Sequence, residues 1–144
     1  MSNTPAFIGA ALKTKIDTLT LTGFGGSSYL QKFPFNLATL KIAEGIYICP
    51  ITATLGGGTN SGTQVGLGWE VVIIKGSNQS LLIAEVDAFA LWRQEFRTTF
   101  HDKKPLPTTD VYHTQIEPGS LLIPDAWKAN YDASSFIIRC WHYE

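Results

Sequence analysis

Residues 54–74 read TLGGGTNSGTQVGLGWEVVII, six glycines set between and within two apolar runs. Whether those glycines cradle a phosphate or turn a strand decides the fold. A P-loop needs GxxxxGK[ST] at a strand-to-helix turn, where a lysine and a helix N-terminus meet the phosphate. The segment GGGTNSGT at 56–63 has no lysine, and the residues after it have the pattern of a strand. Gly66-Leu67-Gly68 also leads into more strand, whereas a dinucleotide fingerprint opens a helix. The GFGG at 23–26 comes after a helical pattern instead of preceding one. The stretch therefore reads as a β-hairpin, with Gly56 to Thr63 as a flexible polar tip too long for a tight two-residue turn.

The strand after the tip runs from Val65 to Lys75, with Trp69, Val71 and Ile73 on one face and Glu70, Val72 and Ile74 on the other. Apolar residues on both faces of its second half predict a central strand covered on both sides. Before the tip, GIYICPITATL alternates Ile46 and Ile48 against Tyr47, Cys49 and Ile51. Pro50 cannot donate to a ladder, so this strand is expected at an edge or with a bulge there.

Further out, Pro5 to Leu19 reads as a helix capped by Thr4, with Phe7, Ala11, Leu12, Ile16 and Leu19 as its apolar face. GFGGSSYLQKFPF, 23–35, reads as an irregular connector. A long helix of about 30 Å is expected from Ser80 to Phe100, with Leu82, Val86, Phe89, Phe96 and Phe100 on its stripe and Arg93 interrupting it. DVYHTQIEP and LLIP read as strands, DAWKANYDAS as a polar turn, and SFIIRCWHYE as a strong last strand. The order predicts one α+β domain over residues 1–144: a mainly antiparallel sheet, an N-terminal helix and a long central helix on one face, and a long β-hairpin.

A chain of 144 residues can bury a core without a disulfide or a metal. Eleven basic against twelve acidic residues exclude the strongly basic face of a free-standing nucleic-acid binder. Charged residues make up 16%, below the usual ~25%, which fits a surface partly covered by partners. Cys49 and Cys140 lie in apolar runs and read as buried free thiols, a disulfide being the other reading. The N-terminus lacks a signal-peptide pattern and no apolar run reaches membrane-spanning length, so a soluble protein used in a cytoplasm is expected.

No residue pattern carries catalysis. The serines lack a GxSxG elbow, the acidic residues show no paired motif, and the cysteines no zinc spacing. His113, Glu117 and His142 would make a two-histidine, one-carboxylate metal site only if their strands paired to bring them together; surface or strand-edge histidines are the plainer reading. The chain is therefore expected not to be an enzyme and to need no cofactor or metal. Trp92-Arg93-Gln94-Glu95-Phe96-Arg97 mixes aromatic and arginine residues, a composition of protein interfaces and equally of core and snorkelling side chains.

The opening helix AFIGAALKTKIDTL, the entry FPF at 33–35, the strand GWEVVII before a long helix, the segment IEPGSLLIPDAWKANYDASSFIIRCW and the close IIRCWHYE together resemble the tail-terminator (tail-completion) and neck proteins of tailed bacteriophages. The resemblance spans nearly the whole chain and is one of layout. It implies a virion protein, assembled in the host cytoplasm, that forms a hexameric ring. Such a ring caps the tail tube, meets the head-side connector or stopper proteins, and lets DNA through its lumen without specific binding. It implies no membrane partner and no catalytic residue. The ring contacts are expected from Gly56, Gly57, Gly58, Thr59, Asn60, Ser61 and Gly62 in the tip, which would reach a neighbouring subunit, and from Trp92, Arg93 and Arg97. The alternative is a small ligand-binding module whose sheet and long helix enclose an apolar pocket lined by Trp69, Phe89 and Trp141.

Overall fold

The computed structural model describes residues 4–32, 44–59, 62–76, 81, 83–128 and 130–144. Helix α1 (Pro5–Ile16) is followed by strands β1 (Ser27–Leu30), β2 (Glu44–Pro50), β3 (Thr54–Thr59) and β4 (Gly62–Gly76). A 3-10 turn at Ile83–Val86 enters helix α2 (Asp87–Phe100), and β5 (His113–Glu117), the short helix α3 (Pro124–Lys128) and β6 (Tyr131–Tyr143) complete the order.

The spine is β4. One edge pairs with β6 from Gln64 opposite Tyr143 to Gly76 opposite Tyr131. The other edge is shared, β2 taking Trp69 to Lys75 and β3 taking Gly62 to Gly66. The order is β1-β2-β4-β6-β5 with β3 beside β4, antiparallel except for the β1–β2 pair. The domain is thus α+β with a mainly antiparallel six-stranded sheet. Alternation along β4 separates two cores, as its sequence requires. Trp69, Val71 and Ile73, with Ile48, Phe136 and Ile138, meet the buried faces of α1 and α2. Val72 and Ile74, with Tyr47 and Ala133, meet Ala126 of α3.

Helix α1 starts where its sequence says, with the Thr4 hydroxyl accepting from the Phe7 amide at 3.3 Å and proline in the first turn. Its buried row is Ile8, Leu12 and Ile16; Phe7, expected on that face, is 40% exposed because it sits one position off the row. The helix stops at Ile16, short of Leu19, where Asp17 takes up Lys13 at 2.9 Å and the Ser28 hydroxyl. Helix α2 has fourteen residues, about 21 Å. The expected longer run back to Ser80 meets the 3-10 turn, and Ser80 and Leu82 lie outside the described residues. Phe89, Phe96 and Phe100 are fully buried, and truncating any one of them to alanine costs about 3–5 kcal/mol.

Three expectations are corrected. The connector at 23–35 contains β1, parallel to β2; positions 31–43 between the strands are long enough for a parallel crossover, and Phe33 and Phe35 lie outside the described residues. LLIP is not a strand: Leu121 and Leu122 bend, and Pro124 opens α3, which runs on into DAWKANYDAS, the segment read as a polar turn, whose last residues Tyr131 to Ser134 already belong to β6. Pro50 is not on an edge strand as a whole, since β2 lies between β1 and β4. The β1 register ends at Ile48, however, so Pro50 needs no donor on that side.

Candidate functional site

The glycines of 54–74 are strand. Thr59 pairs with Gly62, so only Asn60 and Ser61 separate paired positions; both lie outside the described residues. Most of the expected tip, Gly56 to Thr63, is therefore paired strand, and β6 backs β4 as far as Gln64. A register shift between Leu55 and Gly58 marks a bulge in β3. Gly66 and Gly68 lie beneath Arg139: a Cβ on either would stand 2.8 Å from its side chain, so a larger residue there would have to displace the arginine. Gly62 adopts φ 130°, beside the Glu144 carbonyl. Gly57 is exposed and Gly56 half-buried, while Gly58 pairs with Thr63.

Of the helix residues expected at a contact, Trp92 lies in the core of its own chain at 3% exposure, its indole Nε1 donating to the Thr22 carbonyl at 2.9 Å. Arg93 turns inward. Its Nη1 donates to the Ser135 carbonyl at 2.6 Å and the Ser134 hydroxyl at 2.9 Å, and its guanidinium lies 5.4 Å from the Phe136 ring centroid. Its partial burial accounts for the break in the apolar stripe. Arg97 is exposed on α2.

The polar clusters are occupied within the chain. Arg139, 7% exposed, donates Nε to Glu117 Oε2 at 2.7 Å and Nη2 to Oε1 at 3.0 Å, a bidentate pair, while Nη1 reaches the Thr52 carbonyl at 2.8 Å. Those hydrogen bonds hold the Glu117 carboxyl below its ordinary range. His113 Nε2 meets Asp102 Oδ1 at 3.2 Å, and His101 Nε2 meets Oδ2 at 3.5 Å. His113 stands opposite Trp141, so the next residue, His142, points through the other face of the sheet. His113, Glu117 and His142 therefore do not converge, and among the described residues no group of three His, Cys, Asp or Glu could hold a metal. A shallow cavity of about 270 Å³ is lined by Gln64, Tyr112, His113, Gln115 and Trp141. Its polar groups largely satisfy one another, Gln64 donating to Tyr112 at 3.0 Å and Trp141 to Gln115 at 3.0 Å. Cys49 and Cys140 are buried; burial pushes their thiol pKa values up to about 11 and about 12.

The feature with surplus surface is apolar. Where β4 leaves the sheet, Leu81, Ile83 and Val86 face Leu122, Pro124 and Trp127 across a groove of about 330 Å³. The far wall is built by a local stop: Ile123 pairs with Ala133, α3 starts at Pro124, and Asn130 with φ 67° returns the chain to β6. Ala126 turns into the second core and leaves Trp127 on the groove side. Leu81 is 85% exposed and Ile83 79%. Trp69, Phe89 and Trp141, expected to line one pocket between sheet and helix, do not converge: Trp69 and Phe89 pack into the core and Trp141 faces the other side of the sheet. The groove is not legible in the sequence because its walls lie about forty positions apart; the apolar run Leu121 to Pro124 is the available signal, and by pattern it reads as a strand. Comparison with protein-family models and with curated proteins finds no match to this chain. Among the described residues no helix is long and apolar enough to cross a membrane.

Proposed function

We propose that this chain is a structural virion protein of a tailed bacteriophage, a tail-terminator or neck subunit that forms a hexameric ring, caps the tail tube and joins tail to head. The observation that carries the reading is the exposed apolar groove with Leu81 and Ile83 standing out of it. Contiguous apolar surface on a chain this poor in charge is the chemistry of assembly. The layout of α1 and α2 on one face of a mainly antiparallel sheet supports it, as do polar clusters already spent on internal contacts. The work of such a subunit is geometric: heterologous contacts related by rotation close into a ring. A net charge of −1 suits a lumen through which DNA passes without tight binding. Light scattering after size exclusion, followed by negative-stain imaging, tests the reading. A species near six subunits with a central hole is expected, and a 15.8 kDa chain that stays monomeric even with tail tubes present would sink it.

The groove volume also favours a second reading, a small ligand-binding module, since pockets for small molecules begin at about 300 Å³. That reading expects a monomer whose melting temperature rises with an apolar ligand.

A further inference from the structure

We infer that the shallow cavity at the Gln64 end of the sheet binds one neutral monosaccharide unit. The site shares no residue with the apolar groove, so it stands whether or not copies of the chain assemble. Strand register builds it: Gly66 and His113 stand opposite Trp141 from either side, Gln64 opposite Tyr143, and Gln115 opposite Arg139, one place further along the same face. These side chains therefore project together. Theirs is the face that Ala126 of α3 covers at Val72 and Ile74, and toward Gln64 it opens as the cavity. An added Cβ on Gly66 would stand 3.0 Å from Trp141 Cζ2 and Cη2, so the six-membered ring of the indole rests on that glycine. Trp141 is half-buried and leaves part of the indole to the cavity. C–H groups polarised by neighbouring oxygens settle on the negative face of an aromatic ring, and a pyranose carries a row of them.

Internal hydrogen bonds fix the polarity of the groups around the indole. Its Nε1 can only donate, so Gln115 accepts through Oε1 at 3.0 Å and keeps both Nε2 hydrogens for an outside acceptor. Gln64 Nε2 donates to Tyr112 Oη at 3.0 Å and Tyr143 Oη at 3.3 Å, which leaves Gln64 Oε1 as an acceptor. The two phenol rings stack at 5.0 Å and stiffen that wall. The neutral His113 imidazole carries its proton on Nε2, 3.2 Å from Asp102 Oδ1, so its Nδ1 accepts as well. Donors and acceptors set round an aromatic surface match sugar hydroxyls, each of which both donates and accepts. Charge decides against a phosphate ligand. No lysine or arginine lines the cavity, Arg139 beside it is held by Glu117 at 2.7 and 3.0 Å, and the Asp102 carboxylate stands behind His113. Bases that stack on aromatic side chains need a basic groove for their backbone, which this lining does not supply. The volume of about 270 Å³, just under the ~300 Å³ at which small-molecule pockets begin, suits one unit in place of a chain.

Proton–nitrogen correlation NMR of the full chain, titrated separately with glucose, galactose, mannose and N-acetylglucosamine, tests the site. At least one sugar should move the Trp141 indole and Gln115 side-chain amide signals together, with a Kd on the order of 1 mM for so shallow a site. Gln115→Met keeps the length of the side chain and removes its donors. It should weaken that sugar roughly tenfold, the loss of about one hydrogen bond. Trp141→Ala should abolish the response, and Gln115→Met on β5 decides the matter if the tryptophan variant does not fold. Silence from all four sugars, shifts that miss both residues, or an affinity unchanged in Gln115→Met overturns the proposal. So does an oligothymidylate that moves the same signals while the sugars do not, which would make the face a nucleic-acid site.

Discussion

Replacing Gly9 by alanine sets two effects of opposite sign against each other in helix α1. Alanine in a helix interior is favoured over glycine by about 0.5–1 kcal/mol. At this position, however, an added Cβ would lie 2.7 Å from Trp69 Cη2 and 3.1 Å from both Trp69 Cζ3 and Leu30 Cδ1. Ordinary carbon contacts sit near 3.5–4.0 Å. The indole is 3% exposed and wedged beside Val71, so relief requires moving the ring or the helix. Forcing an extra methyl into a packed core costs about 1–3 kcal/mol, so the strain outweighs the propensity gain and a net loss of about 1–2 kcal/mol is expected. For a domain of this size that lowers Tm by roughly 3–8 °C, read by circular dichroism. The same substitution in a Trp69→Phe background, where the offending ring atoms are gone, should be neutral or stabilising. A Tm raised by Gly9→Ala in the parent, or an equal loss in both backgrounds, would refute the account.

His142 gives a pH dependence. Its Nδ1 is buried without a hydrogen-bond partner among the described residues, and burial lowers the pKa below 6.5 despite the carboxylates of Glu144 and Asp110, which raise it. The unfolded chain therefore binds the proton more readily, and stability should fall as pH drops from about 6.5 toward the folded value. Denaturant midpoints across that window should slope in the parent and lose this contribution in His142→Gln; identical slopes would count against it. Glu117→Gln removes half of the charged clamp on the buried Arg139 while Glu117 itself is 39% exposed, so a loss of about 1–2 kcal/mol in urea is expected. An unchanged midpoint would show that the pair contributes nothing. With thiol pKa values near 11 and 12, at most on the order of one thiol in a thousand is ionised at about pH 8, so Cys49 and Cys140 should label with a disulfide reagent only on unfolding. Prompt labelling of the native chain would contradict their burial.

Local chemistry in the sequence determined a good deal here. Thr4 and Pro5 set the start of α1, and the two-faced apolar run of Trp69 to Ile74 made β4 central. The run FIIRCW at 136–141, apolar but for Arg139, marked the last strand, and the missing lysine in GGGTNSGT excluded a phosphate loop. Each of these depends on neighbours within a turn or a few strand positions. Tertiary structure decided the rest, because it depends on residues that meet only after folding. Gly66 and Gly68 resemble hinge residues until Arg139, some seventy positions later, is laid across them. Ser27 to Leu30 resembles a loop until Gly45 to Ile48 offers it a parallel edge. His113 and His142 look available to one metal until the register of β5 on β6 puts them on opposite faces. The groove obeys the same rule: Leu81 and Ile83 on one wall and Leu122 and Trp127 on the other are ordinary apolar residues in sequence. They become a surface because β4 and β6, joined along thirteen paired positions, deliver both walls to the same end of the sheet.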